Sequence, residues 1–344
     1  MSSTVEFAGA VAAPYEPGAG LPVFVEPTDA RLRDDPARVA AWFAEHRVAI
    51  EALTSDVGAV VLRGFGVSET HHFGALVEHY PSPEFGYTAG ATPRRAIEGK
   101  VFEATNAPPQ FKIQLHQEMA YLPKYPARLA FFCKTPPASG GETIIGDMRR
   151  FEAGLPRDLR DTVAATGVLY LRNFRSPDWT TGHPVLDARH RPWTDAFGTT
   201  DRGEAEAQCA AMGLDFEWVG DSLTTSYRGQ GVVRHPATGA EVWFNQLIPQ
   251  IHSVQSVGAD LFEAYAEHYE HGRPRPYDTC LGDGTQLTPD DVDAAYEVLD
   301  AVTVAFPWQA GDVMFVDNVI CAHGRNTFTG ARDIQVALLG EAEQ

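Results

Sequence analysis

The residues best placed to do chemistry are His116 and Glu118, in the segment QFKIQLHQEMAY. From Lys112 onward that segment alternates polar and apolar residues, the pattern of a strand. Side chains two apart on a strand project to one face, so His116 and Glu118 can offer an imidazole nitrogen and a carboxylate to one metal ion. Lys112 and Gln114 fall on the same face and become candidate substrate contacts, while Ile113 and Leu115 point into the opposite layer. Two histidines and one carboxylate on one face of an octahedron leave three positions for a chelating cosubstrate and dioxygen, the arrangement of non-haem Fe(II) oxygenases. His323 is the leading third ligand, because it follows the predicted strand GDVMFVDNVICA and precedes a glycine. It lies 323 − 116 = 207 residues downstream, so only the fold can complete the set. A lone H-x-E is common by chance. A rival pair, His268 and His271, shares a helix face at i, i+3, but Glu267, Glu270 and Gly272 around it read as a solvated helix end. His71 and His72 are adjacent and diverge on a helix.

Arg332 strengthens the metal reading. It opens the predicted strand RDIQVALL and shares a face with Ile334, Val336 and Leu338. A guanidinium facing that apolar lining is costly unless an anion meets it, and a planar carboxylate is its natural two-pronged partner. The distal carboxylate of 2-oxoglutarate would supply that anion. Arg325, two residues after His323, is a second candidate for the same anion or for the substrate. Thr143, behind the Gly140-Gly141 turn, begins a strand with a hydroxyl able to donate.

The elements that must position these groups are strand-rich in the middle and at the end of the chain. RLAFFCK (128–134) is a continuous apolar run suited to a core strand, and VVRHPATGAEVWFNQ reads as a hairpin that puts Trp243 and Asn245 on a lid or wall. Helical patterning falls at 35–53, 68–80, 149–166 and 258–271, and again behind Thr288-Pro289, where Thr suits an N-cap. The first twenty residues, rich in Ala, Pro and Gly, read as an irregular arm, and residues 21–344 as one domain. Strands in the core and helices in the insertions predict an all-β barrel or sandwich with α decoration.

Composition sets the remaining bounds. The 344 residues suffice for one large domain, and a formal net charge of −19 opposes binding to nucleic acid or to an anionic membrane. The start lacks the basic and apolar regions of a signal peptide, and no apolar run is long enough to span a bilayer. Cys133, Cys209, Cys280 and Cys321 lie far apart and form no C-x-x-C pair, as expected for reduced thiols in a cytoplasmic protein.

The block LHQEMAYLPKYPARLAFFCKTPPASGGETIIGD resembles the metal-binding segment of the taurine/2,4-D dioxygenase (TauD/TfdA-like) family. FPWQAGDVMFVDNVICAHGRNTFTGARDIQVALL resembles the distal half of the same motif, and the likeness covers roughly residues 20 to 342. Within the family the chain is most similar to the syringomycin-type amino-acid hydroxylases of nonribosomal peptide, antibiotic-producing pathways. The resemblance implies a double-stranded β-helix (jelly roll, cupin-like) with helical insertions. It implies Fe(II) on His116, Glu118 and His323, with Thr143 and Arg332 on 2-oxoglutarate. It also implies O2-dependent hydroxylation of an unactivated C–H bond, 2-oxoglutarate leaving as succinate. The substrate it suggests is an amino acid, free or on a carrier protein. Lys112, Gln114, Trp243, Asn245 and Arg325 are the candidate substrate contacts. Two departures matter. Taurine dioxygenase has Asp where this chain has Glu118, and a further Arg where this chain has Val336, which disfavours a sulfonate substrate. Related halogenases replace the carboxylate with a small residue, so Glu118 argues against halogenation. Desaturation, epoxidation and ring closure start from the same chemistry and stay open. So do a zinc hydrolase on a cupin-like barrel and a catalytically silent binding protein.

Overall fold

A computed structural model describes residues 5–16, 20–83, 95–104, 107–269 and 274–344. The apolar run around residue 130 forms the strand Lys124–Thr135, buried through most of its length, at the heart of a nine-stranded sheet. Its neighbours are Val313–Asp317 and the long strand Asp333–Glu343, both antiparallel to it. Beyond Val313–Asp317 come Ala59–Leu62 and Val23–Pro27, and beyond Asp333–Glu343 the short strands Val101–Glu103 and Ala96–Glu98.

The supposed irregular arm is a correction: Val5–Phe7 and Ala10–Pro14 pair with each other, and the second pairs with Val23–Pro27 to extend this sheet. Gly9, at φ 78°, makes the tight turn between them. Ala10 and Ala12 are small enough to pack beneath the helix Pro36–Val57, whose residues belong to the same apolar cluster.

A second, four-stranded sheet runs Thr303–Val304, Ile145–Asp147, Cys321–Arg325, Ile113–His116. The segment GDVMFVDNVICA, expected as one strand, is two. Val313–Asp317 belongs to the large sheet and Cys321–Arg325 to the small one, with a turn at 318–320 carrying the chain across. Asp317 makes that turn by accepting from the backbone N–H groups of Val319 and Ile320. The Phe131 ring of the large sheet lies 5.2 Å from the His323 ring of the small one, so the two sheets face each other there.

The expected hairpin forms from Val232–Arg234 and Glu241–Trp243. The helix behind Thr288 forms as Pro289–Val302, with Thr288 and Asp291 completing a reciprocal cap. The helical stretch expected over 149–166 is split into Met148–Gly154 and Arg157–Thr166 at Pro156. A further sheet, ordered Asp215–Val219, Ser222–Gly229, Val168–Phe174, Tyr277–Leu281, packs into the same core through Tyr170 and Leu223. Among the described residues no helix is long and apolar enough to cross a membrane.

Candidate active site

Between the facing sheets a cavity is lined by His116, Thr143, His323, Arg325 and Arg332, with Phe131, Ile113 and Ile334 as apolar walls. The small sheet supplies the histidines. His323 pairs with His116 across neighbouring strands, and their rings stand 4.5 Å apart. That approach requires Gly324, since a Cβ there would meet the Ile113 carbonyl oxygen at 2.4 Å. Ligand atoms of His116, Glu118 and His323 all fall within 4.8 Å of one another, and this is the metal-competent cluster found among the described residues.

Orientation is set by hydrogen bonds. His116 Nδ1 lies 2.9 Å from the Gln114 carbonyl, an acceptor only, so Nδ1 carries the proton and Nε2 keeps its lone pair for a metal. His323 Nε2 and the Glu118 carboxylate stand 3.6 Å apart, too far for a hydrogen bond. His323 Nδ1 is buried and meets no hydrogen-bond partner among the described residues. Two imidazoles and a largely buried carboxylate that bring one ligand atom each within 4.8 Å of the others fit a divalent cation, and the two-nitrogen, one-oxygen set suits Fe(II).

The strand stops at His116, so Glu118 is not held by simple alternation. Its backbone is clamped by Asn318, whose Oδ1 accepts from the Glu118 N–H at 2.7 Å and whose Nδ2 donates to the Glu118 carbonyl at 3.0 Å. Gln117, between the two ligands, points the opposite way and donates to the Trp243 and Val319 carbonyls. The neighbouring Met119 takes a positive φ of 59°, turning the chain sharply behind the carboxylate.

The end of the cavity at Thr143 and Arg332 is built from the Gly140-Gly141 turn. Both glycines have positive φ, and a Cβ on Gly141 would collide with Pro137 and Phe328. The Gly141 carbonyl accepts from Arg332 Nε at 3.0 Å, and Thr143 follows two residues later. The Thr143 hydroxyl oxygen accepts from the Trp308 indole at 3.2 Å, and an indole N–H can only donate. The Thr143 proton is thereby left for a second acceptor. Burial, and next the charge of Arg325, lower Arg332 to about 10; Glu142 opposes this from a distance, and no carboxylate forms a salt bridge with Arg332 among the described residues. Arg325 and Arg332 flank the Phe328 ring, their guanidinium carbons 5.0 and 5.6 Å from its centroid.

Several expected contacts lie elsewhere. Lys112 and Gln114 do not line the cavity. Lys112 reaches Asp300 at 4.0 Å, and Gln114 donates to the Gln255 carbonyl. The reason is a bulge: His323 pairs with His116 but Arg325 pairs with Ile113, so the metal strand holds one extra residue and its parity flips. Ile113 joins His116 on the cavity side instead. Trp243 is a core residue, edge-on to Phe151, and Asn245 is buried, donating to the Gly231 carbonyl and accepting from the Leu247 N–H. Arg325 does line the cavity, yet it donates to the carbonyls of Ala107, Pro108 and Phe111 and so ties down the segment leading to the metal strand. Of the rival pair, His268 lies near His183, ring centroids 5.6 Å apart, and His271 lies outside the described residues. Trp308 and Asn318 escape the sequence reading. The available signals are a Trp just before the Gly311-Asp312 turn and an Asn closing VDN.

Residues 22–338 match the model of the taurine catabolism dioxygenase TauD, TfdA family. The chain belongs to that family of Fe(II)- and 2-oxoglutarate-dependent dioxygenases, which take O2 as oxidant and small molecules as substrates. It is 30% identical to the dapdiamide synthesis protein DdaC of Enterobacter agglomerans over 304 residues, 88% of each chain. It is likewise 30% identical to a clavaminate synthase-like protein of Arabidopsis thaliana, over 84% of this chain and 83% of that one. Among solved structures, PvcB of Pseudomonas aeruginosa superposes with a TM-score of 0.53 at 12% identity, covering 98% of this chain and 94% of its own. A taurine dioxygenase of Burkholderia xenovorans gives 0.51 at 17%, covering 97% and 90%. The fold is that jelly-roll-like oxygenase fold, rich in sheet and decorated by helices.

Proposed function

We propose that this dioxygenase hydroxylates an unactivated C–H bond of an amino acid, free or tethered to a carrier protein, in a specialised biosynthetic pathway. One observation supports the reading: a largely buried His-Glu-His cluster shares a cavity with Arg332, which no carboxylate salt-bridges among the described residues. His116, Glu118 and His323 hold Fe(II), and Arg332 with Thr143 holds the far carboxylate of 2-oxoglutarate. Bound there, the iron and cosubstrate supply oxidation of a C–H bond by O2, with succinate and CO2 released. The chain's own part is geometric. Asn318 fixes Glu118, Gln114 fixes the His116 tautomer, and Trp308 aims the Thr143 proton at the carboxylate. Phe131, Ile113 and Ile334 keep the cavity wall dry.

The fold reading that goes with this is a double-stranded β-helix formed by the two facing sheets, in one domain that takes in the N-terminal strands Val5–Phe7 and Ala10–Pro14. The relative DdaC, by its name a dapdiamide synthesis protein, supports a biosynthetic role. The four buried free cysteines suit a cytoplasmic setting.

The test begins with an anaerobic titration of the protein with Fe(II) and 2-oxoglutarate, followed by its visible charge-transfer band. The band should form in the wild type and vanish in His116→Ala. A succinate-release screen then compares free amino acids with the same amino acids loaded on a carrier domain. Full retention of substrate-dependent succinate formation by His116→Ala would sink the metal assignment, and release with no amino-acid form would sink the substrate class.

A further inference from the structure

A second cavity lies outside the site just described. It is bounded by Ile251–Gln255, by Phe262, by Arg275 and Asp278, and by the start of the Pro289–Val302 helix. With its mouth it encloses ≈ 680 Å³, against ≈ 380 Å³ for the cavity at His116. Its polar wall presents opposite charges side by side. Arg275 Nη2 donates to Asp278 Oδ2 at 2.8 Å, and the two side chains stay 34% and 26% exposed. Arg275 Nε is buried and meets no hydrogen-bond partner among the described residues, and the one bond from Arg275 leaves the Asp278 carboxylate further lone pairs, so each end of the pair can still take a solute.

The lining also holds an aromatic surface. His252 stacks on Phe262 with centroids 4.7 Å apart and planes 15° from parallel. Burial first, and the Arg275 charge next, keep that imidazole neutral near pH 7. Leu287 and Val292 add aliphatic surface. Asp293, at the rim, accepts from Gln255 and adds a second carboxylate.

This pattern selects among ligands. A phosphate or a simple carboxylate would meet Arg275 but face Asp278 and Asp293. A simple amine would meet the carboxylates but face Arg275. A molecule with both charges close together satisfies both, and its remaining part can lie on the His252–Phe262 surface. We infer that this cavity binds a zwitterionic α-amino acid, its carboxylate on Arg275, its ammonium on Asp278 and its side chain over the His252–Phe262 stack. The cavity also abuts the metal strand, because the Gln255 carbonyl accepts from Gln114 at 2.9 Å, two residues from His116. It is a second amino-acid site, separate from the cavity at His116, and does not depend on the function proposed above.

The experiment is calorimetric titration of the metal-free protein with the twenty standard L-amino acids and with their N-acetyl and carboxamide derivatives. At least one free amino acid should bind, and its two blocked derivatives should bind more weakly. Arg275→Gln should weaken that binding roughly 10- to 100-fold, the loss of one charge-assisted contact. Leu287→Trp, which fills the cavity and leaves the ion pair intact, should weaken it as strongly and guards against misfolding of the first variant. Anaerobic 2-oxoglutarate affinity should stay unchanged in both. His116→Ala should bind the amino acid normally, so loss of the iron reading would not remove the cavity, nor the reverse. Binding by no member of the panel, equal binding of the blocked derivatives, or wild-type affinity in both cavity variants would each overturn the inference.

Discussion

Replacing Arg332 with methionine should make the ligand-free protein more stable while making it a poorer binder of 2-oxoglutarate. Burial, and next the Arg325 charge, lower Arg332 to about 10 from an ordinary 12.5. At neutral pH the group is charged in both the folded and the unfolded chain, so the folded chain bears the full penalty. At about 1.4 kcal/mol per pH unit, less some screening at a partly exposed site, that is roughly 2–3 kcal/mol. The penalty is relieved only as pH rises from about 10 towards 12.5, where the unfolded chain holds the proton more tightly and native stability climbs. The Arg332→Met variant would escape this cost. It would lose the hydrogen bond to the Gly141 carbonyl, about 1 kcal/mol, and the contact with the Phe328 face, about 0.5 kcal/mol. The net gain is about 1 kcal/mol, or roughly 2 °C in melting temperature for a domain of this size. Affinity moves the other way. Loss of a charge-assisted, two-pronged contact worth about 1.5–3 kcal/mol weakens 2-oxoglutarate binding roughly 10- to 150-fold. Thermal melts of the ligand-free protein and anaerobic 2-oxoglutarate titrations of the Fe(II)-loaded protein read the two effects separately. A variant less stable than wild type without ligand, or one with unchanged 2-oxoglutarate affinity, would refute the reasoning.

Asn318→Leu removes three hydrogen bonds, to the Glu118 N–H, the Glu118 carbonyl and the Pro126 carbonyl, and leaves those groups buried without partners. Urea melts should show a loss of roughly 2–4 kcal/mol, and Mn(II) binding followed by electron paramagnetic resonance should weaken. Gly324→Ala places a Cβ 2.4 Å from the Ile113 carbonyl, which should cost roughly 1–3 kcal/mol and separate the His116 and His323 strands. Its metal affinity should fall further than its melting temperature suggests; unchanged Mn(II) binding would contradict the close-approach argument. His190 is buried, bonded to the Tyr269 hydroxyl, and held down to about 4 by burial first and Arg175 second. The fold keeps it neutral, so the unfolded chain binds the extra proton and stability is lost as pH falls from 6.5 towards 4. His190→Gln should flatten that acid limb by up to about one proton in melts taken across this window.

The metal pair is legible in the sequence because residue type and spacing suffice to nominate it. Strand parity misplaces Lys112 and Gln114 because it survives only where pairing is regular, and the bulge opposite Gly324 is a property of two strands 207 residues apart. Thr143 and Arg332 can be read from a glycine turn and an inward charge, both local signals. Trp243 and Asn245 cannot, since their partners at Phe151 and Gly231 come from other elements that bury the end of the hairpin. The arm reads as irregular because Ala and Pro are poor strand formers in isolation. In place, Ala10 and Ala12 are buried in one cluster with the helix Pro36–Val57, and sheet pairing outweighs propensity.

The two sheets divide the labour unequally. Lys124–Thr135 and Asp333–Glu343 are long, paired on both sides over part of their length, and rooted in the apolar core. Arg332 stands at the threshold of the second, so the proposed anion clamp is anchored on a long strand paired on both sides over part of its length. His116 ends a four-residue strand at the edge of the small sheet, bulged against its one strand neighbour. A strand that short has little stability of its own. It is held instead by side chains reaching across: Arg325 to the segment before it, Asn318 to Glu118 after it, and Gln246 to the carbonyl of Gln117 within the turn. Each of these is polar, buried and directed at backbone, so each is costly if its target moves. The position of the proposed metal ligands is therefore fixed less by the sheet than by this set of backbone clamps. Substitutions at the clamps should disturb metal affinity before they disturb the fold.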